Sequence, residues 1–100
     1  MTMAEGMTYQ RAMLALGNGK RERGMQVLFM LAARLEHARR KHPWPEHTPN
    51  FLAAFRALGD EAEEVNCAIC RETPDRVRDE LLDVMAVAVR MLLGECQEQA

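Results

Sequence analysis

The sequence predicts an all-α fold, and three observations support that prediction. Of its 100 residues, 8 are Met and only 5% are aromatic, so the composition lacks the β-branched and aromatic residues of a sandwich or barrel. Apolar residues recur at helical spacing along most of the chain. No alternating strand pattern and no hairpin turn between strands is visible. We therefore expect an antiparallel bundle of three main helices, preceded by a short N-terminal helix and completed by oligomerisation.

Residues 1–20 are predicted to be an N-terminal extension or a short helix. Tyr9 to Leu16 is the candidate helix, and Gly17-Asn18-Gly19 is its stop signal. The length of the chain favours one main domain, which we assign to residues 21–100.

The first main helix is predicted over about residues 21–41. Its apolar face repeats at helical spacing through Met25, Leu28, Phe29, Ala32 and Leu35. The cations Arg39, Arg40 and Lys41 suit the negative end of a helix dipole, and Pro43 prevents continuation of the helix.

Two further helices, near residues 49–72 and 74–93, are predicted from a repeated start signal. Thr48-Pro49 and Thr73-Pro74 each place a hydroxyl N-cap before a proline at the first helical position. Gly94 is expected to cap the C-terminus of the last helix. Because the connection between the two helices is so short, we expect them to pack antiparallel.

Charge and hydropathy exclude several classes of protein. The net charge is −2 and the pI is about 5.9, so we expect neither stable nucleic-acid binding nor disorder. No segment approaches the roughly 18 apolar residues of a membrane span, and no secretory signal is visible. The odd count of 3 cysteines argues against a disulfide framework and predicts a reduced cytoplasmic protein. An apolar content of 48% predicts a homodimer or homotetramer.

Acidic residues concentrate in the last two predicted helices. Residues 60–83 hold nine Asp or Glu against three Arg, a balance of −6, whereas residues 20–41 hold seven Lys or Arg against two Glu, a balance of +5. Asp60, Glu61 and Glu64 share one helix face. No cation lies three or four positions from Glu61 or Glu64, so their charge needs compensation from elsewhere.

A second acidic pair, Glu80 and Asp83, lies one helical turn apart beside the apolar stripe of the last helix. In an antiparallel hairpin this pair can meet Glu61 and Glu64. Converging carboxylates require a compensating charge, and ligand sets made only of oxygen suit Mg²⁺ first and Mn²⁺ second. The alternative interpretation is a pair of acidic solvated faces that never meet.

The spacing of these acids carries a family resemblance. Asp60-Glu61-Ala62-Glu63-Glu64 is followed by fifteen residues, 65–79, and then by Glu80-Leu81-Leu82-Asp83. In this pattern, and in the apolar runs beside it, residues 25–94 resemble the MazG-like all-α nucleoside triphosphate pyrophosphohydrolases, whose motif is EExxE followed after a gap by ExxD. Asp60 departs from the family, which usually has Glu at this position.

The resemblance implies Mg²⁺-dependent hydrolysis of (deoxy)nucleoside triphosphates to the monophosphate and pyrophosphate, as nucleotide-pool house-cleaning. It also implies that Glu61, Glu64, Glu80 and Asp83 are the metal ligands. A carboxylate near the attacking water can accept its proton, and Glu61, Glu64 and Asp60 are all candidates for that role.

Three further residues are candidates for substrate binding. Trp44, between two prolines in the loop before the acidic helix, either stacks on a nucleobase, as the resemblance to some relatives implies, or closes the end of the bundle. Arg90 either holds a phosphate or pairs with an acid. Lys41 either draws in an anionic substrate or belongs to a solvated helix end.

Two other groups have both a functional and a structural interpretation. His42 and His47 flank Trp44 and either contact the substrate or are surface histidines. Cys67 and Cys70 have zinc-like spacing, but they lie inside a helix with no second such pair, which favours packing.

The sequence leaves two alternative functions open. A phosphoribosyl-ATP pyrophosphohydrolase shares the acidic helices, but it tends to carry a His four residues after the ExxD aspartate, where this chain has Val87. The other alternative is a non-catalytic helical dimerisation or regulatory module that has kept the motif.

Overall fold

A computed structural model describes residues 4–45 and 49–98 of the protein. In these residues it contains four α-helices and no β-strand, which confirms the all-α prediction. The helices are α1 (Tyr9–Leu16), α2 (Arg21–Lys41), α3 (Phe51–Arg71) and α4 (Pro74–Leu92). Within this part of the chain, no helix combines the length and hydropathy that a membrane crossing requires.

The start of α3 lies later than the sequence indicates. Its N-cap is Asn50, whose side-chain Oδ1 accepts a hydrogen bond from the Ala53 amide at 2.9 Å. The predicted start at Thr48-Pro49 is therefore wrong, and Thr48 itself lies outside the described residues. Asn caps a helix as well as Thr does, and the carbonyl of Pro49 is bound by the amide of Gln97.

The start of α4 is as predicted, and its end at Leu92 lies one residue before the predicted end. Thr73 Oγ1 accepts a hydrogen bond from the Arg76 amide at 3.4 Å, and Pro74 is the first helical residue. After the helix, Gly94 has a φ of +75°, and the Glu95 amide donates to the Arg90 carbonyl at 3.0 Å. The left-handed glycine turns the chain away from the helix axis.

The chain divides into two compact units, Met1–Ala32 and Ala33–Ala100. In the first unit, the backbones of α1 and α2 approach each other closely at Gly24. A Cβ atom on Gly24 would lie 1.9 Å from the carbonyl oxygen of Met13. Only glycine permits this approach without moving the backbone.

The second unit is built around the pairing of α3 with α4. A turn of two residues, Glu72-Thr73, joins the helices, so they run antiparallel. The apolar side chains buried in this unit are mostly small: Ala54, Val65, Ala68, Ala86 and Cys96. Small side chains allow the helices to approach closely, whereas the larger Phe55 and Ile69 remain exposed.

The C-terminal segment, residues 94–98, lies beside the start of α3. The amide of Gln97 donates to the Pro49 carbonyl at 2.9 Å, and Asn50 and Gln97 form an isolated parallel β-bridge. The neighbouring Cys96 is 2% exposed, so this segment is anchored by both a hydrogen bond and a buried side chain.

Candidate metal centre

The hairpin of α3 and α4 brings four carboxylates together. One carboxylate oxygen from each of Glu61, Glu64, Glu80 and Asp83, here called the carboxylate cluster, lies within 4.8 Å of the others. Glu64 and Glu80 lie at similar distances from the turn between the helices, and Glu61 and Asp83 lie one helical turn further from it. The predicted meeting of the two pairs is confirmed, and the interpretation as two separate acidic faces is wrong.

Burial differs among the four members of the carboxylate cluster. Glu80 is 8% exposed, Glu61 and Asp83 are half-buried, and Glu64 is exposed. Glu80 Oε1 accepts a hydrogen bond from Arg76 Nη2 at 2.6 Å, but Glu80 Oε2 is buried and has no hydrogen-bond donor. A buried acceptor without a partner costs about 1–3 kcal/mol. A bound cation would supply the missing partner.

Crowding makes these carboxylates harder to ionise. Burial, then the neighbouring carboxylate of Glu64, raise the pKa of Glu61 to about 7, and the charges of Asp83 and Glu80 add to the effect. Burial and the neighbouring carboxylates of Glu64 and Asp83 also raise the pKa of Glu80, although Arg76 opposes the shift. Without a cation, the surroundings of these two carboxyl groups therefore disfavour their charged form.

Two arginines pair with the α4 members of the carboxylate cluster, Glu80 and Asp83. Arg34 on α2 donates from Nη1 to Asp83 Oδ1 and from Nη2 to Asp79 Oδ1, both at 2.6 Å. Arg76 pairs with Glu80 at 2.6 Å. The ion pairs formed within residues 4–45 and 49–98 include neither Glu61 nor Glu64. The α3 side of the cluster is thus left with uncompensated negative charge.

Sequence reasoning missed both of these arginines. Arg76 lies four residues before Glu80, a spacing at which helical ion pairs form, so the sequence carried that signal. Arg34 is separated from Asp83 by 49 residues. Its only sequence signal is a position seven residues before Lys41, which places both cations on one face of α2.

A cavity of about 740 Å³ adjoins the carboxylate cluster. Of the eight residues that the sequence singles out as metal, catalytic or substrate-binding candidates, the cavity is lined by seven: Lys41, Trp44, Asp60, Glu61, Glu64, Asp83 and Arg90. The eighth, Glu80, belongs to the carboxylate cluster. The cavity therefore joins an acidic edge to a wall with aromatic and basic side chains.

The cavity is also lined by three residues outside the set of eight. His42 is one that the sequence left ambiguous, Val87 is the position that argued against a phosphoribosyl-ATP pyrophosphohydrolase, and His37 is one that sequence reasoning missed. His47 lies outside the described residues. Cys67 and Cys70 are exposed on α3 and do not belong to the carboxylate cluster, so nothing connects them to its chemistry.

Arg90 is bound by groups of the protein itself. Its guanidinium lies over the Trp44 ring, 3.7 Å from the ring centroid. Its Nε donates to Glu95 Oε1 at 3.0 Å and its Nη1 donates to the His42 carbonyl at 2.9 Å. Of the two interpretations of Arg90, the structure shows the pairing with an acid. Glu95, the partner, was not predicted from the sequence.

Comparisons with family models, curated proteins and solved structures find no match to this chain. The functional conclusion therefore depends on the geometry of the carboxylate cluster and its cavity, together with the motif resemblance.

Proposed function

We propose that this protein is a Mg²⁺-dependent nucleoside triphosphate pyrophosphohydrolase of the MazG-like type, with Mn²⁺ as a possible substitute. It would hydrolyse (deoxy)nucleoside triphosphates to the monophosphate and pyrophosphate, and so remove unwanted nucleotides from the cytoplasmic pool. The observation that carries the proposal is the convergence of four carboxylates at the edge of a cavity that also contains Trp44 and Lys41.

The donor set of the carboxylate cluster fits a hard divalent cation. Oxygen ligands lie about 2.0–2.1 Å from Mg²⁺ and therefore at most about 4.2 Å apart, whereas the carboxylate oxygens lie within 4.8 Å of one another. A small inward movement of the side chains would therefore bring them to the distances that Mg²⁺ requires. Glu80 Oε2 lacks a hydrogen-bond donor, and no cation within the described ion pairs balances Glu61 or Glu64. Both defects would be corrected by one cation held between α3 and α4.

The remaining roles follow from the position of each side chain in the cavity. When bound, Mg²⁺ would polarise phosphate oxygens and make a coordinated water more acidic. Asp60, Glu61 and Glu64 line the cavity on its acidic side, and each is a candidate to accept a proton from the attacking water. Lys41 lines the same cavity and would attract the triphosphate. Trp44 would stack on the nucleobase.

Pyrophosphate release from a panel of ribonucleoside and deoxyribonucleoside triphosphates tests the proposal. We expect release with Mg²⁺ or Mn²⁺ and none with a chelator. Asp83→Asn should abolish the release. Asp75→Asn, at an exposed carboxylate whose ion-pair partner among the described residues is Arg78, should leave it unchanged. A folded wild-type protein that releases no pyrophosphate from any triphosphate in the presence of either metal would overturn the proposal.

Phosphoribosyl-ATP belongs in the same panel as the alternative substrate. The position at which that enzyme tends to carry a histidine is Val87, which lines the cavity and has no group to donate or accept a proton. We therefore expect phosphoribosyl-ATP to be a poorer substrate than the best nucleoside triphosphate. A preference for phosphoribosyl-ATP would identify the alternative activity.

We also propose that residues 33–41 of α2 pack with α3 and α4 in an antiparallel bundle that is completed as a homodimer or homotetramer. Large apolar side chains are exposed on both helices of the hairpin, among them Leu52, Phe55, Ile69, Leu81 and Met85. Exposed apolar side chains of this number on a small domain support the proposal of a contact between subunits. Light scattering after size exclusion should give a multiple of 11.4 kDa, and Phe55→Glu should shift the protein towards monomer. A wild-type monomer would overturn the proposed oligomer. A dimer or tetramer alone would also be expected of the alternative function, a non-catalytic dimerisation module.

A further inference from the structure

Arg90 carries a charge that the fold has removed from water. Its side chain is 4% exposed. A buried guanidinium is tolerated only when it is paired and hydrogen-bonded. Within the described residues, the carboxylate that forms an ion pair with it is Glu95, at 3.0 Å. Removing the charge of Glu95 would therefore leave Arg90 buried without a counter-charge.

The place of Glu95 is fixed by the backbone as well as by its charge. Its amide donates to the Arg90 carbonyl at 3.0 Å, directly after the left-handed Gly94. Its carboxylate also accepts from Arg39, with Nη2 to Oε2 at 2.6 Å. Both guanidinium groups lower the pKa of Glu95, Arg39 having the larger effect. Glu95 thus connects α2, α4 and the C-terminal segment.

Arg90 in turn contacts the loop that follows α2 at two points. It donates to the carbonyl of His42 at 2.9 Å and lies over the ring of Trp44 at 3.7 Å. Trp44 and Arg90 both line the cavity. The position of the Arg90 guanidinium is therefore coupled to the position of the Trp44 ring in the wall of the cavity.

We propose that Glu95 is a positioning residue for the cavity: through Arg90 it holds the Trp44 ring where a substrate would contact it. The identity of that substrate, a nucleoside triphosphate, rests on the proposed function. The position of the Trp44 ring does not depend on the proposed function. Glu95 touches neither the substrate nor the carboxylate cluster in this role, so its effect is expected on substrate binding rather than on the chemical step.

The test uses Trp44, the only tryptophan of the chain, as a fluorescent reporter. Glu95→Gln keeps the shape of the side chain but removes its charge. The control is Glu36→Gln, which makes the same change in an exposed pair with Arg40 on α2. Acrylamide quenching of Trp44 is measured for both variants, together with KM and kcat for pyrophosphate release from the best triphosphate.

We expect Glu95→Gln to increase quenching of Trp44 and to raise KM about tenfold, with kcat within about twofold of the wild type. Glu36→Gln should change none of these quantities. Wild-type quenching in a folded Glu95→Gln variant would overturn the positioning role. Increased quenching with an unchanged KM would overturn the connection to substrate binding.

The experiment also gives a decision if Glu95→Gln does not fold or if the wild-type protein is inactive. If Glu95→Gln does not fold, Glu95→Asp replaces it, because it keeps the charge and only withdraws the carboxylate by one methylene. Wild-type quenching in Glu95→Asp would then overturn the proposal. If the wild-type protein hydrolyses no triphosphate, the proposed function fails alone, since the fluorescence measurement still decides whether Glu95 positions Trp44.

Discussion

Two carboxylate sites in the second unit differ in the direction in which their surroundings shift the pKa. In the carboxylate cluster, burial and neighbouring acids raise the pKa of Glu61 to about 7. At the C-terminal segment, Arg39 and Arg90 lower the pKa of Glu95, and burial opposes them. Burial therefore acts in the same direction at both sites, and the charges around each carboxylate decide the outcome.

The difference shows at which site the chain itself supplies the balancing charges. Glu95 is one carboxylate between two guanidinium groups, so its charge is balanced by the chain. The carboxylate cluster contains four acids, whose described ion-pair partners are Arg34 and Arg76. Removing one partner from a balanced network is costly, whereas an unbalanced cluster of like charges costs stability until a cation is added. This contrast is the physical basis for proposing a metal centre at one site and a positioning role at the other.

The largest effect is expected on activity when the carboxylate cluster is altered. Glu80→Gln removes a charge whose Oε2 atom lacks a hydrogen-bond donor, and should lower Mg²⁺-dependent pyrophosphate release by at least about 10²-fold. Glu63→Gln, on an exposed side chain of the same acidic run, is the matched control and should keep its activity. Steady-state assays at saturating Mg²⁺ measure both. Equal activity of the two variants would remove Glu80 from the proposed metal centre.

The next effect is on stability at the balanced site. Glu95→Gln leaves the buried Arg90 without a counter-charge and should lower the free energy of unfolding by about 2–3 kcal/mol. Glu36→Gln, in an exposed pair, should change it by less than about 0.5 kcal/mol. Urea unfolding followed by circular dichroism measures both. A Glu95→Gln variant as stable as the wild type would show that the two sites do not differ as proposed.

A smaller effect is expected from pH, with opposite signs at the two sites. The raised pKa of Glu61 contributes stability that is complete below its unfolded value of 4.5 and is lost as the pH rises through about 7. The lowered pKa of Glu95 contributes stability that is present above 4.5 and is lost as the pH falls through its folded value. The metal-free protein should therefore melt at a higher temperature near pH 5.5 than near pH 8.

Mg²⁺ should reverse this preference, because metal ligands must be deprotonated. Melting temperatures with and without Mg²⁺ across this range provide the measurement, and the increase caused by Mg²⁺ should be larger near pH 8. A metal-induced increase that does not depend on pH would contradict the assignment of Glu61 as a ligand.

The smallest effect is expected on the stability of the metal-free protein when one acid of the carboxylate cluster is neutralised. Glu61→Gln removes one of the crowded charges and should stabilise the metal-free protein by about 1 kcal/mol near pH 8, with little change near pH 5.5. Circular dichroism melting curves in a chelator are sufficient to detect it. Destabilisation at both pH values would mean that the carboxylate of Glu61 makes a structural contribution which the charge comparison overlooks.

The sequence predicted the carboxylate cluster well because both of its parts are local. The i,i+3 spacing of Glu61 with Glu64 and of Glu80 with Asp83 places each pair on one helix face, and a short connection brings the faces together. The cap of α3 was predicted wrongly for the opposite reason. Asn50 is the N-cap of α3, and the carbonyl of the preceding residue, Pro49, accepts a hydrogen bond from the amide of Gln97. This contact joins distant parts of the chain.

By itself, the sequence determined that this protein is helical, where its helices lie within a few residues, and which carboxylates converge, because periodicity, caps and short turns act over a few residues. Only the tertiary structure decided which charges are balanced. Arg34 reaches Asp83 across 49 residues, and Arg39 reaches Glu95 across 56. Such pairs depend on how distant segments pack, and no local spacing encodes them. The role proposed for Glu95 also depends on such packing, because it requires the contact of Arg90 with the Trp44 ring.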